Sequence, residues 1–196
     1  MAQVLTHQNT HFSYIIALGS NATSDGATPR QIIEKALNIL DVAPLRLVAA
    51  SGLYLTPFMP IGTGEDVVNA VALVETELGP AAVMDNLHKI ESNFGRARMQ
   101  RWGSRTLDLD LIMAGEQVIP SAEVVQSWMD LDPDAQKEKA PDQLLLPHPR
   151  LQDRAFVLVP AMDVAPDWRH PLLGRTLREL HDALPKDELA AITPLV

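Results

Sequence analysis

The chain has 196 residues, 46% hydrophobic and 21% charged, a balance that supports one folded domain with a sizeable core and does not call for two. Its formal charge of −9 and pI near 5.0 argue against a nucleic-acid coat, although a local basic patch can still hold an anion. With no cysteine, disulfides, thiolate metal centres and cysteine nucleophiles are excluded.

No apolar run approaches the roughly 20 residues of a membrane span, and the first dozen residues lack the pattern of a signal peptide. They are expected to be a disordered leader (1–12) before a single domain (13–196) of a cytoplasmic protein. The run "SYIIAL" (13–18) predicts a strand that stops at Gly19-Ser20-Asn21, a turn signal. A helix follows, with Thr28 as N-cap, Pro29 in its first turn and Gln31 completing a capping box. Ile32, Ile33, Ala36, Leu37 and Leu40 give that helix a buried stripe. Residues 45–55 and 66–76 predict two strands, joined by the Pro- and Gly-containing loop "TPFMPIGTGE" and more easily antiparallel than parallel. Pro80 opens a second helix with an apolar face of Val83, Met84, Leu87, Ile90 and Phe94, which Gly95 stops.

The next strand is "RTLDLDLIM" (105–113). Its period of two places Leu107, Leu109 and Leu111 on one face and Asp108 and Asp110 on the other. Residues 116–143 are polar, acidic and without sustained periodicity, and predict a surface loop, with an insertion at about 121–143. An apolar strand is expected at 155–159 and a short helix at 176–184. The mixture predicts an α+β sandwich, a mainly antiparallel sheet with helices packed on it.

The chemistry concentrates at 95–111. Arg96, Arg98, Arg101 and Arg105 lie within ten positions, and a guanidinium fork suits phosphate oxygens. Alone, they read as a solvated basic loop. Asp108 and Asp110, two apart on a strand, sit roughly 6.6 Å apart at the backbone, and tips that close repel unless a cation lies between them. A half-exposed strand explains the aspartates alone; Mg²⁺ with a polyphosphate explains both sets at once. No Walker-type phosphate loop occurs. Elsewhere, His148 stands between two prolines, Arg150 and Arg154 add possible phosphate contacts, and Phe156 is either core or a face for a flat ligand. Trp102 is a candidate for covering a ligand. Asn69, inside the apolar "VVNAVALV", needs partners if buried.

These residues resemble the 6-hydroxymethyl-7,8-dihydropterin pyrophosphokinase family of folate biosynthesis. The likeness runs in order through "ALGSN", "SGLYLTP", "VVNAVALVET", "IESNFGRAR", "RWGSRTLDLDLI", "LPHPR", "RAFVL" and "PAMDVAP". It implies a ferredoxin-like sandwich that transfers pyrophosphate from ATP to a pterin hydroxymethyl group, releasing AMP, as a monomer without nucleic-acid or membrane partners. It places two Mg²⁺ on Asp108 and Asp110, with Arg96 and Arg105 near the transferred phosphates. Glu91, Arg98, Arg101, Trp102, His148 and Arg154 are implied in the ATP site. Thr56, Pro57, Asn69, Trp102 and Phe156 are implied around the pterin.

The sequence departs from the family pattern in four places. A lysine common between the arginines at 98 and 101 is absent, Ser104 replaces a proline, and the 121–143 segment is longer than usual. Val67 stands where an aromatic commonly stacks on the pterin, which predicts weaker pterin binding by roughly 0.5–1.5 kcal/mol. Two other readings are a non-catalytic nucleotide- or pterin-binding homologue and a two-metal phosphohydrolase.

Overall fold

The computed structural model describes residues 11–58, 64–95, 106–132, 135 and 139–196. Strand β1 (Phe12–Ser20) is central and nearly uninterrupted in its apolar character, as a strand covered on both faces must be. It pairs antiparallel with β4 (Val67–Thr76) on one side and β5 (Asp108–Ala114) on the other. Strands β2 (Arg46–Ala50) and β3 (Tyr54–Thr56) both run antiparallel along the far edge of β4. The expected single strand at 45–55 is therefore two. At the break, the Ser51 hydroxyl accepts the Val71 N–H at 2.9 Å, in place of a backbone carbonyl. A two-residue strand, β6 (Thr193–Pro194), closes the edge on β3.

Helix α1 (Pro29–Leu40) begins with the expected reciprocal box between Thr28 and Gln31. Helix α2 (Pro80–Asn93) ends as Gly95 turns into the left-handed region at φ 77°, a conformation that glycine adopts without a Cβ penalty. These helices cover one sheet face, where Ile32, Ile33, Leu40, Val83 and Leu87 meet Tyr14, Ile16, Leu18 and Val74. Leu107, Leu109 and Leu111 belong to this core, as their alternation requires.

Four expectations need correction. Residues 155–159 are not a strand but part of helix α4 (Ala155–Ala161). A short run of Phe, Val and Leu carries no period, and here it is buried on several sides, with Val157, Leu158 and Ala161 packed on Ile15, Ala17, Val71 and Ile112. The 121–143 segment is not all loop. It contains helix α3 (Ala122–Met129), capped by Ser121 and anchored by Val125, which is fully buried. The expected helix at 176–184 is shorter, α5 (Leu177–His181), with a Thr176–Glu179 capping box, and α6 (Lys186–Ala190) follows. Of the expected leader, residues 1–10 lie outside the described residues, while Phe12 already pairs with Thr76 in β1. Among the described residues, no helix is long and apolar enough to cross a membrane.

His170 fixes the turn before α5. Its buried Nδ1 accepts the N–H groups of Leu172 and Leu173, both at 3.2 Å, so the proton sits on Nε2. Burial pushes its pKa down to about 4. The unfolded chain therefore takes the proton first. The stabilisation is complete above the unfolded pKa of ~6.5 and is lost as the pH falls toward about 4. We expect the urea midpoint to drop between pH 7 and pH 5, with about 2 kcal/mol traceable to this ring. His170→Asn, which keeps an acceptor but does not titrate, should show a shallower drop. An equal drop would place the pH dependence elsewhere.

Candidate active site

The site grows from one row across the sheet. Gly19 of β1 stands opposite Asn69 of β4 and Asp108 of β5, so all three present the same face. At a strand spacing of about 4.8 Å, Asn69 and Asp108 flank a bare glycine at roughly 10 Å from each other. A Cβ on Gly19 would come within 3.3 Å of Asn69 Oδ1. Glycine here keeps the floor open. Asn69 is buried, and its Nδ2 donates to Thr56 Oγ1 at 2.8 Å and to the Val67 carbonyl at 3.2 Å. Its orientation is therefore fixed, with Oδ1 beside Gly19. Pro57 follows β3, half-buried, and Val67 pairs with Thr56.

One row further along, Asp110 stands opposite Ala17, itself opposite Val71, and both of these lie under α4. Asp110 Oδ2 accepts from Arg154 Nη1 at 3.1 Å, and the Arg154 guanidinium lies 5.5 Å from the centre of the Phe156 ring. A carboxylate and an aromatic face thus hold this arginine from two sides. The pair keeps side-chain exposures of 21% for Arg154 and 39% for Asp110, so its net worth is at most about 1 kcal/mol. A stronger anion can compete for such a guanidinium.

His148 is tied to the same strand. Its N–H donates to the Ile112 carbonyl at 2.8 Å, and its Nδ1 accepts the Arg150 N–H at 3.1 Å. The ring proton is therefore on Nε2. Burial first, then the Arg154 and Arg150 charges, hold its pKa near 4 against the opposing pull of Asp110. Near neutral pH it is an uncharged N–H donor. Glu91 is 1% exposed, and its Oε1 accepts the Leu109 N–H at 2.9 Å. It grips the outer edge of β5 between the two aspartates. Arg96, Arg98, Arg101, Trp102 and Arg105 lie outside the described residues.

Two organising residues escaped the sequence reading. Ser20 Oγ donates to the Thr106 carbonyl at 2.5 Å and fastens the approach to β5 onto the end of β1. Asn21 Nδ2 donates to the Glu65 carbonyl at 3.3 Å, joining the same turn to the approach to β4. Both are buried. The signal was a polar pair directly after an apolar strand, which resembles an ordinary turn.

A cavity of about 520 Å³ adjoins this face, with Asp110, His148, Arg150 and Arg154 on its polar side. Among the described residues no group of three or more His, Asp or Glu converges as a metal site. Two carboxylates are few for an all-protein cage but suit Mg²⁺, which keeps waters and takes phosphate oxygens as its other ligands.

An α+β sandwich that sets a carboxylate pair and an arginine on the same sheet face as a buried amide has the donor set that suits an anion and a hard cation. The family model for 7,8-dihydro-6-hydroxymethylpterin-pyrophosphokinase matches residues 15–166, and the chain belongs to that family. A relative from Pseudomonas aeruginosa, named 2-amino-4-hydroxy-6-hydroxymethyldihydropteridine pyrophosphokinase, is 42% identical over 173 residues, covering 87% of this chain and 90% of its own. A Haemophilus influenzae relative of the same name is 36% identical over 155 residues, covering 78% and 81%. The fold also matches the solved wild-type HPPK-DHPS of Plasmodium falciparum with a TM-score of 0.62 at 16% identity. That match covers 91% of this chain and 45% of the longer one.

Glu91→Ala removes the acceptor of a buried N–H and should cost roughly 1–3 kcal/mol in urea unfolding. Glu91→Gln, which retains an acceptor oxygen, should recover most of it. A loss below about 0.5 kcal/mol, ordinary for a surface change, would mean that Glu91 does not hold β5.

Proposed function

We propose that this chain transfers pyrophosphate from ATP to the hydroxymethyl group of 6-hydroxymethyl-7,8-dihydropterin in folate biosynthesis, with AMP leaving. One observation carries the reading. The aspartate pair and the Asn69–Thr56 amide-and-hydroxyl pair share one sheet face, separated by Gly19 alone, so a polyphosphate and a flat heterocycle can lie side by side. Family membership supplies the identity of the two ligands.

Asp108 and Asp110 would hold Mg²⁺, as their hard oxygens on one strand face suit that ion. Bound there, Mg²⁺ would neutralise phosphate charge and make the substrate hydroxyl more acidic. The remaining work is alignment, because phosphoryl-type transfer asks little covalent chemistry of a protein. Arg154, steadied by Phe156, turns toward phosphate oxygens, and the neutral His148 donates its Nε2–H. Asn69 and Thr56 orient the pterin through fixed donors and acceptors. Glu91 acts from below by setting β5, and the ring of Phe156 serves Arg154 as well as the pterin side. Arg96 and Arg105 complete the neutralisation of the transferred group, Arg98 and Arg101 assist on the nucleotide side, and Trp102 covers the site. The hydroxyl oxygen bonds to the β-phosphorus of ATP as the bond from that phosphorus to the α,β-bridging oxygen breaks. The same reading includes a cytoplasmic location, where ATP and Mg²⁺ are plentiful, and a monomer.

AMP should appear from ATP and Mg²⁺ only when the hydroxymethyl dihydropterin is added. Asp110→Ala should lower turnover at least a hundredfold, about what losing one transition-state stabiliser costs, with unchanged circular dichroism. AMP absent at saturating substrates would leave a binding protein, and phosphate release without pterin would point to a hydrolase. Near-wild-type turnover in Asp110→Ala would remove it from the site.

A further inference from the structure

The excursion between β5 and Leu146 forms a wall of the cavity. The chain leaves β5, runs through α3 and returns at Leu146, where a two-bond bridge to Ile119 pins the base at 2.8 and 3.0 Å. Within this excursion, Val125 is fully buried and Trp128 lies one turn further on the same helix face. Trp128, Pro141 and Gln143 line the same 520 Å³ cavity as Asp110, His148 and Arg154. The cavity thus has Asp110, His148, Arg150 and Arg154 at one end, and on the excursion the aromatic Trp128 together with the charged Lys139 and Asp142. Thr56, Asn69 and Phe156 are not among its lining residues, so the flat ligand assigned to the Asn69 side has its own place.

We propose that Trp128 is a base-binding residue of the nucleotide site, packing its indole against the purine of ATP while the phosphates lie toward Asp110 and Arg154. This rests on the nucleotide reading given above, and adds to it a contact that the excursion supplies. The volume lies within the range for small-molecule sites, about 300–1,000 Å³, and exceeds what a bare polyphosphate fills. An indole face contributes through stacking, which tolerates any flat base and depends on the ring rather than on hydrogen bonds.

The test measures binding of ATP and of inorganic tripolyphosphate, each with Mg²⁺, by calorimetry, together with KM for ATP. Trp128→Ala and Trp128→Leu should each weaken ATP binding about tenfold or more, the range of one lost base–aromatic stack. Turnover at saturating ATP and tripolyphosphate affinity should change little. Trp128→Phe should restore most of the ATP affinity. Leucine keeps the apolar bulk, so it separates loss of the ring from loss of the fold. Unchanged ATP binding in Trp128→Leu would overturn the proposal, as would an equal weakening of tripolyphosphate. If the wild-type protein bound tripolyphosphate but not ATP, Trp128 would lose its ligand while the anion site stood. If it bound neither, the reading of the cleft itself would fail.

Discussion

The site depends on holding two like charges two residues apart on an edge strand. Asp108 and Asp110 project from the same face because β5 keeps register with β1 from Gly19 to Ile16. A one-residue slip would bury both carboxylates and expose the leucines. Three restraints oppose that slip. The leucines are locked into the α1–α2 core, Glu91 accepts from Leu109 on the strand's outer edge, and the His148 N–H bonds to Ile112 just beyond Asp110. Each restraint acts on β5 from a different element, and together they keep both carboxylates on one face.

The same economy governs Arg154. Its bond to Asp110 is too exposed to contribute much stability, yet it holds a guanidinium beside the aspartate pair. Phe156 steadies the planar group without supplying a competing anion. His148 adds a donor without a charge, since burial and the neighbouring arginines keep its ring neutral. The chain is strongly acidic overall, but charges more than roughly 8 Å away are largely screened at physiological salt. The potential beside Asp110 is therefore set by this local group, not by the average.

Much of this was legible in the sequence because it follows from simple periods. The alternation of "LDLDL" fixed both faces of β5, and the Thr28–Gln31 box fixed the start of α1. Asn69 stood out as an amide in an apolar strand. What failed lacked a period. The run at 155–159 is apolar throughout, so neither repeat is visible, and it forms α4 instead of a strand. The difference matters at the site: a helix starting at Ala155 brings Arg154 and Phe156 together beside Asp110. The polar excursion hid α3 because Val125 is its sole buried residue, too little for a stripe. Ser20 and Asn21 were invisible as organisers because their partners, Thr106 and Glu65, are distant in sequence.

The two ends of the sheet face divide the labour. Where Ala17 and Val71 lie under α4, the face is core, and one row further, at Gly19, the cover stops. A larger residue at 19 would press on Asn69 and fill the floor between Asn69 and Asp108. The absence of a side chain there leaves Asn69 and Asp108 facing each other across a single strand, at a separation that the strand spacing sets. The geometry of this face is then largely sheet geometry. The α3 excursion leaves after β5 and is pinned at its base by Ile119 and Leu146, so it adds a wall to the cavity outside the register that sets the two aspartates.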